Sequence, residues 1–248
     1  MIHKRMMVVA AMLAALLGAA PTAQAQPSVM DYRWSFDVGA GWDVGVSGKI
    51  NSGAIGTLDN QVTVIVPNSY GKAYGTGFHL RFGGGYLVDE VTEVRAVFTY
   101  QDLGADLVPM GDLGQTNLYG VYDPYRSFGL DVGFRRYFDV SPTVRPYLEA
   151  TAGLGFISEI DVVLAAPAAN MTERATDFYD RTAAFAFGGN AGALWQVSTY
   201  AGVYAQIGLR WTSGLAAIDD LAGTGLETIN DDSSRWTLPI VVGMRVRF

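Results

Sequence analysis

Residues Arg235–Phe248, which read RWTLPIVVGMRVRF, decide the fold. Every second residue from Trp236 to Phe248 is apolar, and most of the positions between them are small or cationic. Because successive side chains of a strand point to opposite faces, the segment predicts a β-strand with one continuous apolar face. At the edge of a soluble sheet such a face would invite aggregation. A strand between lipid and a polar interior accounts for the pattern.

Seven earlier segments repeat this alternation, within residues 34–46, 78–88, 94–100, 128–138, 148–156, 185–195 and 201–211. Long polar connections, expected to be irregular apart from a short hairpin arm at Val62–Val66, alternate with short turns. An even number of antiparallel strands with long and short connections at opposite ends is typical of bacterial outer-membrane barrels. A soluble β-sandwich also has alternating strands, but it does not require this order of long and short connections.

Aromatic residues mark both ends of the predicted strands. Near the long connections, each strand has one on its apolar face: Trp42, Phe78, Tyr100, Phe128, Phe156, Phe185, Trp211 and Trp236. The opposite ends carry Phe36, Tyr86, Phe138, Trp195 and Phe248. Aromatic belts of this kind form at the two interfaces of a membrane. We therefore predict an all-β fold, an eight-stranded antiparallel up-and-down transmembrane β-barrel with long extracellular loops and short periplasmic turns.

The segment Arg145-Pro146-Tyr147-Leu148, followed by Gly153-Leu154-Gly155, is similar to a recurrent strand of the small outer-membrane barrels of the OmpA, OmpX and OmpW type. The alternating last strand with its terminal aromatic residue also resembles the closing strand of this superfamily. The resemblance covers essentially all of residues 26–248 and implies an architecture, not an activity. It further implies that the barrel-assembly machinery reads the last strand, which makes Phe248 the expected assembly signal.

Residues 1–25 have the features of a secretory signal peptide. Lys4 and Arg5 precede an apolar stretch, and Ala23-Gln24-Ala25 supplies the small residues of a cleavage site after Ala25. We expect 1–25 to be removed and 26–248 to form the outer-membrane barrel domain. Removal of Lys4 and Arg5, with no acidic residue, takes the formal net charge from −7 to −9. This acidity argues against nucleic acid as a partner.

Composition narrows the chemistry further. The chain has 248 residues and no cysteine, which excludes disulfides and thiolate metal sites. We expect no cofactor and no metal. Acidic residues are frequent in the second and fourth long connections, for example at Asp102, Asp112 and Glu227, but their spacing matches no dedicated calcium loop. Solvated charge is the expected state of these residues, and divalent-ion binding remains the alternative.

The inward faces of the predicted strands are polar and charged. The candidate ion-pair residues of the barrel interior are Asp37, Asp43, His79, Arg81, Glu93, Arg95, Asp131, Arg135, Arg145, Glu149, Arg210, Arg245 and Arg247. Charges buried in a narrow interior must pair or meet water, and eight strands leave a space that side chains can fill. We therefore predict an ion-paired plug that closes the barrel to solutes, with Asp37 and Arg245 as the most specific expected pair.

These features favour a non-enzymatic outer-membrane protein with a structural or surface-interaction role. The first alternative is a narrow pore for small polar solutes or ions. The second is a lipid-modifying enzyme, which would need His79, Asp43 and the inward Ser127 to act together. We expect outer-membrane lipid and lipopolysaccharide around a monomeric barrel, and the assembly machinery and periplasmic chaperones as partners during biogenesis.

Overall fold

The computed structural model describes residues 32–217, 223–230 and 233–248, with only the backbone described at 173–177. Eight long antiparallel strands close into a barrel by pairing of the last strand with the first. They are β1 (Trp34–Asn51), β5 (Thr76–Leu87), β6 (Thr92–Leu103), β9 (Tyr125–Tyr137), β10 (Val144–Ile157), β13 (Thr182–Gln196), β14 (Ala201–Thr212) and β15 (Arg235–Arg247). The predicted signal peptide, 1–25 with cleavage after Ala25, lies outside the described residues.

The last strand closes the barrel, as predicted from its resemblance to the closing strand of small outer-membrane barrels. β15 pairs with β1 from Arg247 opposite Ser35 to Arg235 opposite Gly48, with one irregularity between Gly45 and Ser47. Beyond the end of β15, the backbone N–H of Phe248 donates to the Trp34 carbonyl at 3.0 Å. A closed sheet has no free edge, which removes the aggregation hazard of the apolar alternation.

The exterior of the barrel is apolar and carries both predicted aromatic belts. Large apolar side chains such as Leu130, Val132 and Leu148 are more than half exposed along its middle. Aromatic residues are direct cross-strand neighbours in one belt, as in the pairs Trp42–Phe78, Tyr100–Phe128, Phe128–Phe156 and Trp211–Trp236. An apolar band between two aromatic girdles is the surface that a bilayer requires of a spanning barrel.

The connections differ at the two ends of the barrel. Residues 88–91, 138–143 and 197–200 form the short-turn end. The first three long connections, at the other end, contain strands, so the expectation of irregular structure is wrong for these three. The first contains β2 (Ala54–Leu58), β3 (Gln61–Ile65), β4 (Asn68–Ser69) and the helix α1 (Tyr70–Tyr74); the second contains β7 (Val108–Leu113) and β8 (Thr116–Tyr122); the third contains β11 (Ile160–Ala166) and β12 (Met171–Tyr179).

These segments build a second sheet over the end of the barrel, which we call the hood: β2, β3, β7, β8, β11 and β12, together with residues 213–217 and 223–230 of the fourth connection. Its strand order is β2-β3-β7-β8-β11-β12. The predicted hairpin arm at Val62–Val66 is present, since β2 and β3 pair from Ala54–Ile65 to Leu58–Gln61. Strands this short are marginal alone and gain stability by pairing across connections.

The hood has its own hydrophobic core. Met110, Leu118 and Leu164 point inward from three different strands and are fully buried. The same cluster continues downward into the barrel end through Leu103 of β6 and Ile157 of β10. The hood and the top of the barrel interior therefore share one apolar layer, which seals this end.

The fourth connection bonds both outer strands of the hood sheet. The N–H of Thr57 on β2 donates to the carbonyl of Thr224 at 2.7 Å, and Ala217 forms a β-bridge with Tyr179 on β12. Leu226 and Ile229 insert into the hood core. Both edges of the small sheet are thus covered by one segment.

The short helix α1 begins after Ser69, whose Oγ accepts a hydrogen bond from the Lys72 N–H at 3.3 Å. Its residues Tyr70 and Tyr74 are buried in the hood core. In the described part of the chain, no helix has the length and apolar character to cross a bilayer.

Candidate functional site

The barrel interior collects the candidate residues identified in the sequence. Period-two alternation turns alternate side chains of each strand inward. Of the thirteen candidates, twelve are buried, and the side chain of Arg210 is 12% exposed. The buried ones are Asp37, Asp43, His79, Arg81, Glu93, Arg95, Asp131, Arg135, Arg145, Glu149, Arg245 and Arg247.

Glu149 is the centre of one half of this network. Its carboxylate forms ion pairs with Arg81 and with Arg135, whose Nη2 lies 2.6 Å from Oε2. The Nδ2 of Asn190 donates to Oε1 at 3.1 Å. The Arg135 guanidinium also lies 4.0 Å from the centre of the Tyr147 ring. A buried carboxylate is thus held by two cations and an amide, which offsets its loss of hydration.

Glu93 is the centre of the other half. It forms an ion pair with Arg245, lies 3.5 Å from Nη1 of Arg95, and accepts a hydrogen bond of 2.9 Å from the hydroxyl of Tyr137. Arg95 joins the halves, because its Nε lies 3.5 Å from Glu149 while its Nη2 binds Asp37.

The predicted Asp37–Arg245 ion pair is therefore wrong. The two residues are direct partners in the β1–β15 register, but Asp37 binds Arg95 and Arg245 binds Glu93. Long guanidinium side chains reach across the interior to residues on more distant strands. The strand register correctly placed Asp37 and Arg245 at the same level along the barrel axis. It did not determine which side chains they bind.

Two glycines make space for the network. A Cβ at Gly83 would lie 2.1 Å from Nη2 of Arg95, and one at Gly85 would lie 1.9 Å from Oε1 of Glu93. Gly84, between them, points outward and has nothing within 4 Å of the equivalent position. The Gly83-Gly84-Gly85 run thus leaves room inside the barrel for charged side chains.

A separate ion pair lies closer to the hood. Arg210 holds Asp131 with two parallel hydrogen bonds, of 2.8 and 3.1 Å. This fork geometry gives directional strength that a single contact lacks.

Beneath the hood, a polar chamber contains residues that the enzyme alternative would use. Asp43 accepts a hydrogen bond from Gln101, and Ser127 donates to the same amide side chain at 3.0 Å. Nδ1 of His79 is buried and has no hydrogen-bond partner within the described ranges. The Gln101 amide, and not the His79 imidazole, thus lies between the Asp43 carboxylate and the Ser127 hydroxyl.

Arg235 and Tyr137 also belong to the barrel interior, although they are not among the candidates predicted from the sequence. Arg235 donates to Gln101 at 2.8 Å and lies 3.8 Å above the Tyr125 ring. Tyr137 contacts the guanidinium groups of Arg135, Arg145 and Arg245. The alternation would have found both: Arg235 shares parity with Arg245, and Tyr137 with Arg135.

Two pockets inside the barrel, one near each end, each have a volume of only about 10 Å³. This is room for a single water molecule. In the described ranges, no group of three or more His, Asp or Glu side chains is arranged to hold a metal ion. Each of these two pockets can therefore hold a single water and is too small for an organic substrate.

No protein-family model matches the sequence, and no curated protein matches it significantly. Known structures with a similar fold include Neisserial surface protein A, with 13% identity, coverage of 86% of this chain and 99% of the other, and a TM-score of 0.42. OprG from Pseudomonas aeruginosa has 12% identity, coverage of 91% and 99%, and a TM-score of 0.42. The outer membrane protease OmpT from Escherichia coli has 8% identity, coverage of 93% and 100%, and a TM-score of 0.42.

The geometry on its own defines the class of protein. A closed eight-stranded antiparallel barrel with a charged interior, an apolar exterior and two aromatic belts is a small β-barrel of the bacterial outer membrane.

Proposed function

We propose that this chain is a non-enzymatic outer-membrane protein with a structural or surface-interaction role, and that the hood faces the cell exterior as the interacting part. The observation that carries this proposal is the combination of a filled interior with an ordered hood. Solutes have no route along a lumen occupied by ion pairs. What the protein presents to its surroundings is therefore the outer surface of the hood.

The hood surface supports an interaction role. Val62 and Val64 of β3 and Val121 of β8 are exposed on its outward face. Val121 is the direct cross-strand neighbour of Val163 on β11. Neighbouring apolar side chains on a surface that does not face lipid are typical of interaction sites.

The partners of the barrel itself follow from its surface chemistry. Outer-membrane lipid and lipopolysaccharide surround the apolar band. The assembly machinery and periplasmic chaperones act on the chain during biogenesis. We propose a monomer, because pairing of β15 with β1 leaves no barrel edge for a second copy.

Planar-bilayer recording tests the closed interior. The folded protein should give no stable conductance, whereas an open water-filled pore would give ohmic steps. Turnover of radiolabelled lipid A by the folded protein tests the absence of enzymatic activity, and no product is expected. Either a stable pore current or lipid turnover above that of an Asp43→Asn/His79→Gln variant would contradict the proposal.

Substitutions on the hood separate the two non-enzymatic roles. A Val64→Asp/Val121→Asp variant should fold normally, because both side chains are exposed. If the hood is an interaction surface, cells carrying this variant should attach less to an apolar surface than wild-type cells do. Their resistance to detergent, the measure of a structural role in the envelope, should equal that of wild-type cells. Asn117→Asp, at an exposed position of β8, is the matched control for added charge. If attachment is the same in cells with the double variant and in cells with the wild type, the interaction role is wrong.

A further inference from the structure

The barrel interior contains more positive than negative charge, and the excess is not evenly distributed. The inward faces of the eight barrel strands carry eight arginines and five carboxylates. At the short-turn end lie Arg145, Arg245 and Arg247. Arg145 pairs with Asp139 and Arg245 with Glu93, but Arg247 forms no ion pair with any described residue.

Arg247 is nevertheless buried, with 7% of its surface exposed. With the Gln196 amide oriented so that its oxygen faces Arg247, Nη1 donates to that oxygen at 3.1 Å. Among the residues that the structure describes, Nη2 of Arg247 has no hydrogen-bond partner, and neither does Nη1 of Arg145 at the same end of the barrel. Buried charged donors without acceptors are costly, and proteins normally supply an acceptor for each of them.

A small pocket opens beside Arg247. Its lining includes Arg247, Arg245, Gln196, Ser198 and Thr199, with the last two in the turn that joins β13 to β14. Its volume of about 10 Å³ admits one oxygen-sized group and excludes larger ones. The lining therefore includes the guanidinium of Arg247, the amide of Gln196 and the residues Ser198 and Thr199, which carry hydroxyls. The space between them fits one anionic atom, such as one oxygen of an oxyanion.

We propose that this pocket is an anion site that accepts one oxygen of a small oxyanion, a phosphate or a carboxylate, whose other atoms remain outside the pocket on the short-turn side of the barrel. The guanidinium of Arg247 supplies the free donor and the uncompensated charge. A fork of this kind is the side chain best suited to phosphate and carboxylate oxygens. The site is independent of the hood and of any surface partner.

Isothermal titration of the full-length mature protein, folded in a non-ionic detergent, tests the site. The probes are inorganic phosphate and acetate, each in a chloride-free zwitterionic buffer at matched ionic strength, because chloride could itself occupy the pocket. Phosphate should bind the wild type with saturation at one site. Arg247→Gln should weaken binding roughly tenfold or more, as expected for loss of a charged hydrogen bond. Arg136→Gln, which changes an exposed arginine at the same end of the barrel, is the matched control and should bind as the wild type does.

The two probes distinguish the sources of the ligand. Binding of phosphate alone assigns a phosphoryl group, and binding of both assigns any small oxyanion, including a peptide carboxylate. If Arg247→Gln does not fold, Arg247→Lys retains the charge but not the fork, and it should still bind more weakly than the wild type. Absence of saturable binding to the wild type, or equal loss in Arg136→Gln and Arg247→Gln, overturns the proposal.

Discussion

Arg245 on the closing strand forms an ion pair with Glu93 on β6, three strands away around the barrel. The hydroxyl of Tyr137 bridges them, because it accepts from Arg245 and donates to Glu93 at 2.9 Å. The closing strand is therefore tied to the far side of the interior as well as to β1. The network resists separation of the strand that joins the two ends of the sheet.

Glu93→Ala and Arg245→Ala should each destabilise the barrel by about 3–5 kcal/mol, because each leaves a buried charge without its main partner. The double variant should cost less than the sum of the two. Urea unfolding in lipid vesicles, followed by tryptophan fluorescence, measures all three free energies of unfolding. Additive effects would show that the two residues do not act as a pair.

Substitutions in the Gly83-Gly84-Gly85 run should differ according to the face of the strand. Gly85→Ala places a methyl group against the Glu93 carboxylate and should cost roughly 1–3 kcal/mol, as overpacking does. Gly84→Ala points outward into open space and should be neutral or slightly stabilising. The temperature at which the folded band disappears on unboiled gels compares the variants. Equal temperatures for both would mean that the network shifts freely to make room.

The hood should open at alkaline pH. Burial raises the pKa of Tyr70, Tyr74 and Tyr122, so the folded hood favours their neutral form. Their contribution to stability is complete below the unfolded pKa of about 10 and decreases as pH rises from there towards the folded values. Tyrosinate absorbance should lag behind that of the urea-unfolded protein, and proteolysis of the hood should begin when these groups ionise. Superimposable titrations of folded and unfolded protein would contradict this expectation.

Deletion of Phe248 should lower the amount of protein in the outer membrane and leave aggregates in the periplasm. The deletion removes both an exposed aromatic ring and the backbone bonds with Trp34. Phe248→Ala keeps the bonds and removes only the ring. Fractionation and immunoblotting of both variants separate the causes. Normal insertion of Phe248→Ala would mean that the ring is not the assembly signal.

The barrel was predictable because its information is local. Alternation along each strand gives the inward and outward faces. The paired strands β1 and β15 both follow it, with Phe36 opposite Val246 on the outward face. The position of an inward residue along its strand follows as well. The ion-pair partner of an inward residue does not follow from the alternation. Arg245 binds Glu93 and the Tyr137 hydroxyl, and not the adjacent Asp37, because its long side chain reaches across the interior.

Apart from its hairpin arm at Val62–Val66, the hood was not predictable, for a related reason. Val108, Met110, Leu118 and Tyr122 alternate in sequence, as do Val162 and Leu164. Each run is too short to form a stable sheet alone. Val163 meets Val121 only when two different connections lie side by side. Such pairing depends on the finished barrel, which no single stretch of sequence describes.

The bonds of the fourth connection to both edges of the hood impose an order on biogenesis. Thr224 and Ala217 lie between the last two barrel strands, so both edges of the hood are bonded only when the connection between β14 and β15 is in position. We therefore expect the hood to be complete only when β14 and β15, which hold the two ends of this connection, are both in the barrel. Resistance of the hood to an external protease should therefore appear together with barrel closure and not before it.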